Sequence, residues 1–279
     1  MMGEPPPMAD VITSRKNDTV KEFLRLSGSP QRRREEGAFT AEGARLCADA
    51  AASGLKIRRL LVTAEADAKY AKYLEVIRRS SPEESRVAPS VANTLSGTKN
   101  PQGVFCVCSM PEETPDVPAL PVESRLLILE DLQDPANLGA VLRTAEALGL
   151  SGAVLCGDCC DPFSPKSLRA GMGAAFRLPL HSRRDAAEAV RRLNRAGCRT
   201  FAAVPSSSAV PVTQADFSAP CAVVIGNEGN GLTAETESAC AMRITIPMLG
   251  RAESLNAASS AAILMWEMMR QKAGGVRFK

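Results

Sequence analysis

The sequence predicts an α/β protein: a small α/β domain, a Pro-rich linker, then a larger domain built on an open parallel sheet. Three observations carry this. In the second half, short apolar runs alternate with segments of helical period, and most of the runs lack the every-other-residue polarity of a half-exposed strand. Strands covered on both faces read this way, and such sheets are parallel with helical crossovers. The stretch 111–124 (PEETPDVPALPVES) holds four prolines and four acids, a stiff and extended boundary. Finally, 279 residues with 45% hydrophobic content supply enough apolar side chains for two cores.

Taken in order, the first domain (1–110) reads as follows. A basic amphipathic helix is expected over 14–27. A second helix spans 40–53, opening at a Thr40 cap and stopping at Gly54. A strand follows at 57–63, then a helix over 64–80 with Tyr70, Tyr73, Leu74 and Ile77 on one face. A short strand at 86–88, a short helix over 89–95 and a strand at 103–110 complete it. In the second domain (125–279), strands are expected at 125–132, 152–157, 176–180, 200–204, 221–227 and 243–247. Helices fit near 138–148, 165–173, 184–196, 233–240 and 254–270. Ligands of such sheets gather at the carboxyl ends of the strands.

Composition narrows the functions. With 34 basic and 31 acidic residues the net charge is +3, so a nucleic-acid surface must come from local clusters such as Arg32, Arg33 and Arg34. The start, MMGEPPPMAD, lacks a signal-peptide apolar region, and no apolar run is long enough to span a bilayer. The nine cysteines therefore read as reduced thiols of a cytoplasmic protein without a membrane partner. Cys156, Cys159 and Cys160 invite a metal, but structural zinc wants four ligands, usually in two spaced pairs. Cys106 and Cys108 lie in an apolar strand and the lone His181 has no sequence neighbour to join, so no metal is expected.

Three segments fall at strand carboxyl ends. The first, 131–149 (DLQDPANLGAVLRTAEALG), runs from an acidic loop into a helix with Leu138, Val141, Leu142, Ala145 and Leu148 on its core side. Arg143 lies opposite, in the first half of the expected helix, where the dipole disfavours a cation, among the small residues Gly139, Ala140 and Ala147. The second, 224–232 (VIGNEGNGL), carries glycines that let backbone approach a ligand closely. No Gly-Lys-Ser/Thr follows, and the dinucleotide spacing is absent. Gly171 and Gly173 read instead as a helix C-cap and a close packing point. The third, 246–270, passes from a strand through a loop into a helix; Ser254 reads as its N-cap, with Asn256 in the first turn and small residues over 257–262.

With Asn137, Gly139 and Arg143, then GNEGNGL, then IPMLGRAESLNAASSAAI, in that order, residues 125 to about 269 resemble the SpoU (TrmH-like) family of RNA ribose 2′-O-methyltransferases, of the SPOUT superfamily. The stretch 164–180 is similar to the family's middle region. The first half, through ITSRKND and FTAEGARL, resembles the family's substrate-binding domain, itself similar to a small ribosomal RNA-binding protein.

The resemblance implies a parallel sheet whose C-terminal part is threaded into a trefoil knot, and a homodimer with its active site at the subunit interface. It implies S-adenosylmethionine as cofactor, held by Gly226, Asn227, Glu228, Gly229, Ile246, Met248 and Leu255. It implies Asn137, Arg143, Ser254 and Asn256 as catalytic residues, with Glu130 holding the first loop and the small neighbours of Arg143, Gly139 among them, leaving room for substrate or the second subunit. RNA, not DNA, is the expected partner, gripped by Arg15, Lys16, Arg32, Arg33 and Arg34. A substrate domain ahead of the catalytic domain favours large-subunit (23S-type) ribosomal RNA; transfer RNA is the alternative. A member that only binds RNA would show a damaged motif, and this motif is whole. A free guanidinium has a pKa above ~12, so Arg143 is expected to stabilise charge rather than remove a proton.

Overall fold

The computed structural model describes residues 11–80, 83–111 and 124–271. The linker expected over 111–124 lies, but for its two end residues, outside the described residues. The chain divides into two compact units. One takes the described residues up to Pro111 together with Phe163–Arg169; the other takes the rest.

In the first unit, Asn17 caps helix α1 (Asp18–Gly28), accepting from the Thr19 N–H. Arg15 and Lys16 therefore precede the helix rather than begin it. Ser29 closes α1 and caps α2 (Pro30–Glu36), whose Pro30 needs no donor at the first helical position. The sequence reading missed α2, a polar helix without an apolar stripe. It also placed a helix over 40–53, where strand β1 (Ala38–Glu42) precedes α3 (Ala44–Ala52). Thr40 is buried in that strand, its hydroxyl 2.9 Å from that of Ser27. No side chain of its own caps α3; the Gln102 side-chain oxygen (Oε1) accepts from the Ala44 N–H at 2.9 Å, from 58 residues away. A cap so distant leaves no local signal.

Strand β2 (Ile57–Val62) leads to α4 (Ala64–Lys69) and α5 (Ala71–Arg78), a break at Tyr70 where one helix was expected. Tyr73 is exposed, so the buried face of α5 is Leu74 and Ile77. Then come β3 (Glu84–Arg86), α6 (Pro89–Leu95) and β4 (Val104–Ser109). The sheet order is β1-β4-β2-β3, with β1 and β2 antiparallel to β4 and β3 parallel to β2. Val20, Phe23 and Leu26 of α1 pack on Val91, Leu95 and Phe105 as its core.

The rest of the chain alternates more regularly. Its elements are β5 (Arg125–Glu130), α7 (Pro135–Ala147), β6 (Gly152–Cys156), α8 (Pro165–Gly171), β7 (Leu180–Arg183), α9 (Ala186–Arg195), β8 (Arg199–Ala203), β9 (Val210–Pro211), β10 (Cys221–Ile225), α10 (Ala234–Ala239), β11 (Met242–Thr245) and α11 (Ala257–Arg270). All seven strands pair in parallel, in the order β7-β6-β5-β10-β8-β11-β9. β5, β6 and β10 are buried at every residue, their apolar runs broken only by Arg125 and Glu130 at the two ends of β5. The strand expected at 176–180 begins later, because Ala174–Phe176 forms a 3-10 turn after Gly173. The two-residue β9 was missed; its Pro211 is tolerated on an edge strand. Among the described residues no helix is long and apolar enough to cross a membrane.

Candidate active site

The carboxyl ends of β10, β8 and β11 surround a cavity of about 480 Å³. That volume suits a nucleoside-sized ligand. Its floor is the loop after β10. A Cβ at Gly226 would lie 2.2 Å from the Gly231 carbonyl carbon, so only glycine lets the loop fold back there. The turn is closed by reciprocal backbone bonds between Asn227 and Gly231, each 3.0 Å. The Asn227 side-chain oxygen accepts from the Gly229 and Asn230 N–H groups at 2.9 and 3.0 Å, while its amide donates to the Asp131 carbonyl at 2.8 Å.

All seven residues expected to hold the cofactor line this cavity: Gly226, Asn227, Glu228, Gly229, Ile246, Met248 and Leu255. Ser254 lines it as well. The sequence reading missed the far wall, Ala203 to Ser206 after β8, and the Glu237–Arg243 ion pair at 2.7 Å. The rule that ligands sit at strand carboxyl ends pointed to the first of these; nothing local pointed to the second.

Asn137 and Asn256 stand outside the lining and are joined to it by hydrogen bonds. The Glu228 carboxylate accepts from the Asn137 amide at 3.0 Å and from the Gln133 and Asp134 N–H groups, each at 3.1 Å. The Asn137 oxygen accepts from the Asn256 amide at 3.0 Å. Burial opposes the charge of Glu228, but these bonds from Asn137 and the backbone outweigh it and hold the carboxyl below its ordinary value. One chain of contacts thus ties the first, second and third signature segments together.

Four expectations need correction. Ser254 is not the cap of α11; Asn256 is, its oxygen accepting from the Ala258 and Ser259 N–H groups at 2.9 and 3.3 Å. Helix α7 starts at Pro135, capped by Asp134, so Arg143 is the ninth of thirteen residues and lies past the middle, where the dipole no longer disfavours it. Gly139 does not clear room for a ligand: a Cβ on Gly171 would lie 3.2 Å from the Gly139 carbonyl oxygen, so the two glycines serve close backbone packing. Glu130 does not hold the first loop. Buried at the end of β5, it accepts from the Thr233 N–H and hydroxyl, both at 2.9 Å, and from the Thr236 hydroxyl at 2.6 Å, fixing the start of α10.

Arg143 is exposed and has no hydrogen-bond or ion-pair partner among the described residues. The Arg32–Arg34 cluster is not one surface. Arg33 is 2% exposed and donates to the Leu26 and Ser27 carbonyls at 2.5 and 3.1 Å, so it closes the end of α1 and is withdrawn from the RNA-binding set. Arg32 is exposed and paired with Glu35 at 3.0 Å; Arg34, Arg15 and Lys16 are exposed. Near the first loop, Cys159 accepts from the Leu132 N–H and donates to the Leu129 carbonyl, both at 3.3 Å. Burial pushes the Cys156 and Cys160 thiols up to about 12. These are packing thiols, and no cluster with metal-binding geometry occurs among the described residues.

Residues 124–266 match the SpoU rRNA Methylase family, and residues 17–106 match the MRM3-like substrate binding domain. A 23S rRNA (uridine(2479)-2′-O)-methyltransferase of Streptomyces viridochromogenes is 32% identical, over 98% of this chain and 96% of its own. A 23S rRNA (guanosine(2553)-2′-O)-methyltransferase of Bacillus subtilis is 31% identical, over 92% and 98%. Among solved structures, an AdoMet-bound rRNA methyltransferase from Sinorhizobium meliloti superposes with a TM-score of 0.83 at 30% identity, over 94% of this chain and 97% of that one. With two signature segments lining one cavity, the first hydrogen-bonded to both, and a family match over half its length, the chain belongs to the SpoU rRNA methylase family.

Proposed function

We propose that the protein transfers a methyl group from S-adenosylmethionine to a ribose 2′-hydroxyl of large-subunit ribosomal RNA. The observation that carries this is the hydrogen-bonded chain Glu228–Asn137–Asn256, which couples the cavity to the loop and helix bearing Arg143. Bound S-adenosylmethionine supplies a methyl group already activated by a sulfonium. The protein's own residues do the rest. Gly226 lets the loop fold back on Gly231 and so shapes the cavity floor, and Ile246, Met248 and Leu255 offer an apolar wall for the adenine. Arg143, free of any internal carboxylate, aligns an RNA phosphate and stabilises the negative charge that builds on the 2′-oxygen. Asn137 is held from both sides and orients the ribose. Ser254 and Asn256 fix the loop over the cofactor. Orienting two bound reactants in this way can supply ~7–11 kcal/mol of the barrier.

The relatives named as 23S rRNA methyltransferases, which this chain matches over nearly its whole length, support ribosomal RNA over transfer RNA. The substrate is held by the first unit, where Arg15, Lys16, Arg32 and Arg34 are the exposed members of the expected set. The trefoil knot that the family resemblance implies is part of this reading. Ile263 and Trp266, exposed on α11, support a homodimer that completes the site across subunits. On this reading the protein is cytoplasmic and binds neither DNA nor membrane.

The test is transfer of label from S-adenosylmethionine to total RNA of a host lacking this protein, followed by mapping of ribose methylation. Label in large-subunit rRNA, reduced about 10²–10³-fold by Arg143→Ala with cofactor binding retained, is expected. Label in transfer RNA overturns the substrate; no label in any RNA overturns the activity.

A further inference from the structure

The loop that floors the cavity, 226–232, is fastened at both ends to two consecutive residues, neither of which belongs to the described lining. Glu130 is the last residue of β5, and Asp131 begins the turn after it. At the first end of the loop, the Asn227 amide donates to the Asp131 carbonyl at 2.8 Å. At the other end, Thr233 follows the cavity-lining Leu232. It gives its N–H to Glu130 Oε2 and its hydroxyl to Glu130 Oε1, both at 2.9 Å. Thr233 is also the N-cap of α10, so a shift of the loop there moves a helix.

Neither anchor is the residue that stability alone would select. Glu130 is 5% exposed, and no cation pairs with it among the described residues. Burying a carboxylate is costly unless donors replace its water, and a well-packed apolar side chain would hold the strand end at lower cost. Three donors do replace that water, the third being the Thr236 hydroxyl at 2.6 Å, and all three belong to the start of α10. The buried charge thus serves one task, which is to hold the exit of the loop. Asp131 carries a cost of another kind. Its φ is +55°, in the left-handed region that residues with a Cβ seldom occupy. Its N–H meets the Cys156 carbonyl at 3.2 Å, and its carboxylate accepts from the Asp158 N–H at 2.7 Å. The carboxylate sits where only glycine leaves room: a Cβ on Gly157 would lie 2.2 Å from Asp131 Oδ1. Strain held by so many contacts clusters at functional sites, and here it presents the carbonyl that anchors Asn227.

We propose that Glu130 and Asp131 are positioning residues for the cofactor, a two-point clamp that fixes the span of the loop and so sets the affinity for S-adenosylmethionine from outside the cavity. Glu228, bonded to the Gln133 and Asp134 N–H groups, fastens the middle of the same loop to the same turn. The proposal rests on the cofactor named above.

Titration calorimetry with S-adenosylmethionine and with S-adenosylhomocysteine, beside melting curves, tests it. Glu130→Ala leaves the Thr233 N–H without its acceptor and weakens both ligands about 10-fold. Glu130→Gln keeps an oxygen for that N–H and an amide for hydroxyls that accept as well as donate, and stays within about 3-fold of wild type. Val190→Ala, a cavity in the α9 core of the same unit, lowers the melting temperature and leaves both affinities unchanged. Amide exchange over 227–233 in the ligand-free protein quickens in Glu130→Ala and not in Val190→Ala. Asp131→Val, whose branched side chain resists a positive φ, weakens binding as well, and Asp131→Asn, which tolerates it and keeps an acceptor, restores it. Should Glu130→Ala fail to fold, Thr236→Val, an isosteric loss of the 2.6 Å bond, weakens both ligands about 3-fold. Wild-type affinity in a folded Glu130→Ala, or an equal loss in Val190→Ala, overturns the clamp and leaves the cofactor standing. Wild-type protein that binds neither ligand overturns both.

Discussion

At the scale of single residues, Glu228 does the most with the least exposure to the chemistry. Its carboxylate is a structural acceptor for one amide and two backbone donors, which is why its pKa falls below the ordinary value of 4.5. A depressed carboxyl stabilises the fold above its unfolded pKa and ceases to do so as pH falls through the folded one. The melting temperature of wild type therefore exceeds that of Glu228→Gln at neutral pH, and the gap narrows as pH drops below 4.5 in a calorimetric pH series. Glu228, Gly226 and Leu255 are legible in the sequence, because each has a fixed place within a signature segment. Arg33 is not. Nothing in Arg32-Arg33-Arg34 says that the middle side chain turns inward to the carbonyls closing α1. Successive side chains of a helix point about 100° apart, and only the tertiary partner decides which arginine is consumed.

At the scale of elements, the loop after β10 is a rigid object made from backbone. Its two glycines of interest are unequal. Gly226 tolerates no side chain, since the facing atoms are backbone of Gly231 and Leu232 within 2.4 Å, whereas a Cβ on Gly229 meets only the Asn227 side chain at 3.5 Å. Gly226→Ala should cost about 1–3 kcal/mol as an overpacked site and weaken cofactor binding with it; Gly229→Ala should be near neutral on stability. Paired melting curves and calorimetric titrations check the contrast. Strands of the large sheet are legible as apolar runs, because burial on both faces erases alternation. β1 is not, because AFTAE has a Thr and a Glu where a helix cap is plausible and its burial depends on β4, some sixty residues downstream. The helix start at Ser254 fails for the same reason: two candidate caps lie two residues apart, and the hydrogen bonds choose Asn256.

At the scale of the whole molecule, six of the nine cysteines are buried, distributed over both units. Burial raises the thiols of Cys198 and Cys221, to about 12 and about 11, so little thiolate is present at pH 8. Brief alkylation of the native protein should leave Cys47, Cys106, Cys108, Cys156, Cys198 and Cys221 unmodified by mass spectrometry, and all nine should react in denaturant. Early labelling of the six would mean that one unit opens well below global unfolding.

The contact between Asn137 and Asn256 spans 119 positions of chain, and that between Asn137 and Glu228 spans 91. Pairings this remote close late, after nearer contacts have formed. A nascent chain still short of residue 256 holds a complete first unit and most of the large sheet, yet has no assembled centre. Methyl transfer competence is thus withheld until residue 256 has been made, and in refolding the return of cofactor binding should trail the return of secondary structure.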